Sequence, residues 1–193
     1  MTARISITLI MLLAFSVVAS AQHEGALLAA ADRSVAESQL ADARRHFENE
    51  EWERAATAYE MAKHHTSFTL HDLHDLAYAL IRLSRYDRAA RVLRNIIEID
   101  AEDDLAHYNL GVIYLRTARY ALAEKTFERA AWLAPSDPDA WYLLAYAAIN
   151  NDDLTRAWEV LDILIVLDEE DALDVFETLV EVQREREDPT DGW

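Results

Sequence analysis

No cysteine occurs in the 193 residues, which excludes disulfides, thiol nucleophiles, thiolate metal ligands and a lipid-modified cysteine. Glycine and proline number three each, too few to build the many tight turns of an all-β chain. Basic residues are also scarce, 18 Lys and Arg against 36 Asp and Glu, and the resulting formal charge of -18 repels nucleic acid and anionic lipid. Neutral or basic partners are the ones this charge favours. No G-x-S-x-G, P-loop or dinucleotide fingerprint is present, and carboxylate pairs are too abundant on solvent faces for any one to signal acid–base work, so no catalytic residue and no cofactor is assigned.

What is abundant is alanine, leucine and charge, in a chain that is 52% hydrophobic, a composition that favours helix. The first residues read as a secretory leader: Arg4 supplies the positive start, Ile5 to Val18 the apolar stretch, and Ala19-Ser20-Ala21 the small-residue cleavage site. Residues 1–21 are therefore expected to be removed, leaving Gln22 at the mature end and the protein in the periplasm or outside the cell, away from any membrane. The rival expectation is an uncleaved anchor, but the stretch is shorter than the roughly 20 apolar residues a span needs and contains Ser6, Thr8 and Ser16.

Beyond the leader the chain repeats. Trp52-Glu53-Arg54-Ala55, Tyr86-Asp87-Arg88-Ala89, Tyr120-Ala121-Leu122-Ala123 and Leu154-Thr155-Arg156-Ala157 stand 34 residues apart. Each is followed by a large residue (Tyr59, Leu93, Phe127, Leu161) and then a smaller or aliphatic one (Ala62, Ile96, Ala130, Leu164). Leu73, Leu76, Ala77 and Leu80 recur at i, i+3, i+4, i+7, as do His107, Leu110, Gly111 and Tyr114, so each unit predicts two amphipathic helices. Gly111 inside a helix costs about 1 kcal/mol relative to alanine, and close packing is the expected compensation. Asp137 before Pro138, and Asp103 or Asp104, are the expected helix caps.

The third unit, with Leu110-Gly111, Tyr114 and a terminal Pro135, resembles the tetratricopeptide-repeat family, apart from His107 where that family prefers Trp. The resemblance implies an all-α αα-superhelix of about four helix pairs: residues 36–69, 70–103, 104–137 and 138–171. A lead-in segment, 22–35, precedes them; a capping helix, 172–186, and a charged tail, 187–193, follow. It also implies that first helices line a concave groove. On this sequence the groove receives Leu40, Arg44 and Phe47, then His74, Tyr78 and Arg82, then Tyr108, Asn109 and Arg116, and finally Tyr142 and Tyr146. Aromatic rings beside Arg and Asn suit a peptide or partner helix. Some members clamp a C-terminal carboxylate with Lys and two Asn. Here Leu40, Arg44, Asp75 and Leu143 stand at those positions, and only Asn109 matches.

Two alternatives compete with a groove for a foreign peptide. Trp132, Trp158 and the last helix can offer an apolar edge to a copy of the chain, making it a self-associating subunit. His64, His65, His71 and His74, near Asp72 and Asp75, are the candidate metal ligands, although no H-E-x-x-H spacing is present and solvated histidines are the simpler reading. The acidic runs 100–104 and 168–171 lack the glycine and ligand spacing of a calcium loop and read as caps and solubilising charge.

Overall fold

The computed structural model describes the backbone of residues 2–63 and 69–187, and the side chains of residues 22–26, 29–63 and 69–187. The leader side chains of 1–21, His64, His65 and residues 188–193 of the tail lie outside these. The chain divides into two compact units, Met1–Asp72 and Leu73–Trp193.

In the first unit α1 (Thr2–Glu48) runs unbroken through the lead-in segment and packs on α2 (Trp52–Ala62). Small residues make the approach possible: Ala36, Ala43, Ala55, Ala56 and Ala62 are buried with Tyr59. At the turn, Phe47 and Trp52 meet edge to face at 5.4 Å. Among the described residues, no helix is long and apolar enough to cross a membrane.

α3 (Leu70–Arg82) begins at the end of the first unit and continues into the second. The second unit then holds α4 (Tyr86–Ile99), α5 (Asp104–Arg116), α6 (Tyr120–Leu133), α7 (Pro138–Asn150), α8 (Leu154–Leu167) and α9 (Glu169–Glu187). First helices start at 70, 104 and 138 and second helices at 52, 86, 120 and 154, so the sequence period is the structural period. The fold is all-α, a tandem array of helix pairs, with no strand among the described residues. From α4 onward each helix packs on the next, and α9 also reaches α7. The core is Ala, Leu, Ile and Val with Phe127 and Trp141; Trp141 Nε1 donates to the Pro135 carbonyl at 3.1 Å, satisfying its polar edge.

Two local devices set the helix ends. Asp103 and Asp137 cap α5 and α7 by accepting from the N–H of Ala106 (2.7 Å) and Asp139 (3.1 Å), with Pro138 at the first helical position; Asp104 is instead the first residue of α5. Within each pair the chain reverses through a left-handed residue: Glu50, Ser84, Ala118 and Asp152, with φ between 54° and 67°. The next N–H reaches back five residues in each case, Glu51 to His46, Arg85 to Leu80, Arg119 to Tyr114 and Asp153 to Ala148, at 2.8–2.9 Å. This is the Schellman closure, repeated without glycine.

Gly111 shows the expected compensation. A Cβ there would lie 2.7 Å from the Phe127 ring, so the missing side chain is what lets α6 press against α5.

Candidate functional site

Tyr108, Tyr142 and Tyr146, on the first helices α5 and α7, stand in a field of carboxylates within the second unit. Tyr108 is half-buried, its ring meeting Phe127 edge to face at 5.9 Å. Burial, and then the charges of Asp139 and Asp137, push its hydroxyl pKa up. The ring forms one wall of a cavity of about 170 Å³ whose other walls include Asp104, Leu105, Asp137, Asp139 and Ala140. Tyr142 donates its hydroxyl hydrogen to Asp174 of α9 at 2.7 Å. That bond first, then burial and the charges of Asp174 and Asp171, hold its pKa up at about 12. Tyr146 is one turn further along α7 and 43% exposed, so its ring is open to contact. Asp171 completes the field: burial and the neighbouring charges of Asp168, Asp139, Glu170 and Asp174 raise its pKa above the usual carboxylate range. The side chains thus form a strip of rings and carboxylates along α5, α7 and α9. Chemically it can hold cations and apolar stems together.

The remaining groove candidates are placed differently. Tyr78 and Arg82 face each other on α3, the guanidinium 5.8 Å from the ring centroid and donating to the hydroxyl at 3.1 Å. His74 is turned to Asp103, Nε2 to Oδ2 at 2.8 Å, with both side chains largely buried. Arg116 is exposed near the end of α5 and Asn109 is half-buried. Phe47 belongs to the first unit, where it packs on Trp52. So does Arg44: its guanidinium bonds both oxygens of the fully buried Asp72 at 2.8 and 3.0 Å.

Of the four histidine candidates, His64 and His65 lie outside the described residues. His74 is committed to Asp103, His71 is exposed, and the described residues contain no group of three or more His, Asp or Glu side chains spaced to hold a metal. Asp139, Asp171 and Asp174 are the site residues that sequence reasoning missed. Their signal is present in part, since 168–171 is an acidic run, but its alignment with the tyrosines of α7 depends on how α9 packs.

A stack of helix pairs exposing such a strip is a helical-repeat scaffold, an architecture whose extended faces serve recognition. The chain belongs to the tetratricopeptide-repeat family: the family model matches residues 74–138 and 118–174, together just over half of the sequence. No curated protein sequence matches it. Among solved structures, it is similar to MamA (41 to the end) from Desulfovibrio magneticus RS-1, with a TM-score of 0.64 and 22% identity over 79% of this chain and 97% of that one. It is also similar to YrrB, a TPR protein with an unusual peptide-binding site, with a TM-score of 0.67 and 20% identity over 75% of each chain. A third is the Yersinia enterocolitica type III secretion translocator chaperone SycD, with a TM-score of 0.54 and 22% identity over 64% of this chain and 98% of that one. At these identities the likeness is one of fold.

Proposed function

We propose that the protein is an exported interaction module whose α5–α7–α9 strip binds a basic, partly apolar segment of another protein. The observation that carries this reading is the set of carboxylates around the tyrosines: Asp137 and Asp139 beside Tyr108, and Asp171 and Asp174 beside Tyr142. A Lys or Arg side chain fits such a strip twice over, its charge against the carboxylates and its stem along the rings. Burial first, and then the like charges of Asp168, Asp139, Glu170 and Asp174, raise the pKa of Asp171, and a bound cation relieves the crowding of those charges. The peptide-binding site of YrrB, which has a similar fold, is consistent with peptide recognition by this architecture. The role is recognition and assembly rather than bond chemistry.

Arrayed peptides read by fluorescence anisotropy test this. Basic peptides carrying an aromatic or aliphatic residue are expected to bind, and their Glu-for-Lys counterparts not to. Tyr146→Ala with Asp139→Asn, checked for folding by circular dichroism, is expected to weaken binding on the order of tenfold. Equal binding by this variant moves the site elsewhere; failure of every basic peptide refutes the charge preference. Export has its own test: the mass of the protein recovered from the producing cell is expected to begin at Gln22, and an intact N-terminus would favour the anchor.

A further inference from the structure

On the opposite side of α5 from Tyr108 lies a second surface of contrary charge. A groove of about 540 Å³ runs between α4 and α6, with Leu110 and Tyr114 of α5 in its floor. Ile97 and Leu122 supply apolar walls, and Arg94, Lys125 and Arg129 rim it. Leu122 is 46% exposed, and all three cations are exposed. Several of the described basic side chains are drawn to carboxylates: Arg44 to Asp72, Arg45 to Asp42, Arg54 to Glu51 and Arg156 to Glu128 and Glu159. Arg94, Lys125 and Arg129 have no such partner among the described residues; Arg129 reaches only the Ala101 carbonyl, at 3.5 Å. In a chain with twice as many acids as bases, three uncompensated cations around one apolar groove select an acidic, amphipathic occupant.

The chain itself carries such an element. α9 packs inward through Ala172, Val175 and Leu179 and leaves Leu173, Phe176 and Val180 exposed by 57%, 45% and 38%. Those three recur at i, i+3, i+7 and form one stripe, bordered by the exposed carboxylates Glu169, Glu170 and Glu177. We propose that the α9 stripe of one copy docks into the α4–α6 groove of a second copy. Rim carboxylates then meet rim cations, and apolar side chains fill the groove. Donor and acceptor are different surfaces of the same unit, so copies can add head to tail, and an open assembly keeps a free groove at one end and a free stripe at the other. The net charge of -18 opposes association at long range, but at physiological salt the screening length is about 8 Å, so facing ions in the contact outweigh distant repulsion. The proposal uses side chains outside the tyrosine strip and stands whether or not the strip binds a peptide.

Sedimentation velocity of the full chain over a wide concentration range tests it, with two variants at exposed positions confirmed to fold by circular dichroism. The wild type is expected to form a concentration-dependent series of oligomers. Lys125→Glu with Arg129→Glu removes the acceptor, and Leu173→Ser with Val180→Ser removes the donor; each alone is expected to associate at least about tenfold more weakly. Mixed, they are expected to stop at a one-to-one dimer, because the first retains an intact stripe and the second an intact groove. A wild type of single mass at every concentration overturns the proposal, as does association unchanged by either variant or a mixture that does not pair.

Discussion

The carboxylate of Asp103 performs two tasks at once: Oδ1 accepts the N–H of Ala106 and caps α5, while Oδ2 lies 2.8 Å from Nε2 of His74 on α3. One acidic residue therefore both starts a repeat and ties it to the first helix of the repeat before. Nδ1 of the same imidazole is buried without a partner among the described residues, which fits the tautomer whose hydrogen is on Nε2. Asp103→Ala is expected to lose about 1 kcal/mol for the cap and roughly a further 0.5–1 kcal/mol for the bridge. Urea denaturation of both single variants and of the double variant with His74→Ala checks this; strictly additive losses would show that the bridge contributes nothing.

Gly111 is expected to reject even a methyl group. Gly111→Ala gains about 1 kcal/mol of helix propensity, but places Cβ 2.7 Å from a fully buried Phe127 ring, where overpacking costs about 1–3 kcal/mol. The net expectation is a loss of about 1 kcal/mol, reduced when Phe127→Leu is added. Thermal denaturation of the single and double variants reads this directly, and a raised midpoint for Gly111→Ala would refute the packing account.

The turn at Ala118 invites the opposite substitution. Its φ of 54° crowds Cβ against the backbone, so Ala118→Gly is expected to stabilise by about 0.5–1 kcal/mol after the added freedom of the unfolded chain is subtracted. Ala118→Val, β-branched in the same conformation, is expected to lose stability. Midpoints in the reverse order would mean that the turn relaxes to another conformation.

Asp72 gives the first unit a pH dependence. Burial works against its charge, but hydrogen bonds from Arg44 and Thr69 prevail and hold the carboxyl below its ordinary range. Its folded pKa is depressed, so its contribution is complete above the ordinary carboxylate pKa and is lost as pH falls through the lower folded value. Arg44→Met is expected to cost about 2 kcal/mol at neutral pH, less than a fully enclosed pair would lose because Arg44 keeps contact with solvent. Melting midpoints of wild type and variant should converge as the solution is acidified. A gap that is constant with pH would assign the loss to packing instead.

Much of the architecture was legible because it is periodic. Ala55, Ala89, Ala123 and Ala157 recur every 34 residues, and every one is buried where second helices approach first helices. Asp137-Pro138 announced the start of α7 by local chemistry alone. The turns were less legible: Glu50, Ser84, Ala118 and Asp152 share a period and a conformation but no residue type, so only the backbone reveals the left-handed position. Among the groove residues, nothing in the sequence distinguishes His74, drawn to a carboxylate 29 positions away, from Tyr146, left open.

The sequence by itself determined the helix pairs, their period, the small residues that let them pack and the acidic character of the whole, because propensity, amphipathic spacing and net charge are properties of short segments or of sums. Which charges matter was decided only by the tertiary structure. Packing α9 on α7 gathers Asp171 and Asp174 around Tyr142, while stacking α6 beside α4 leaves Arg94, Lys125 and Arg129 around one groove without carboxylate partners. Electrostatic interaction depends on distance in space, and residues 32 positions apart, such as Tyr142 and Asp174, become neighbours only when the repeats stack.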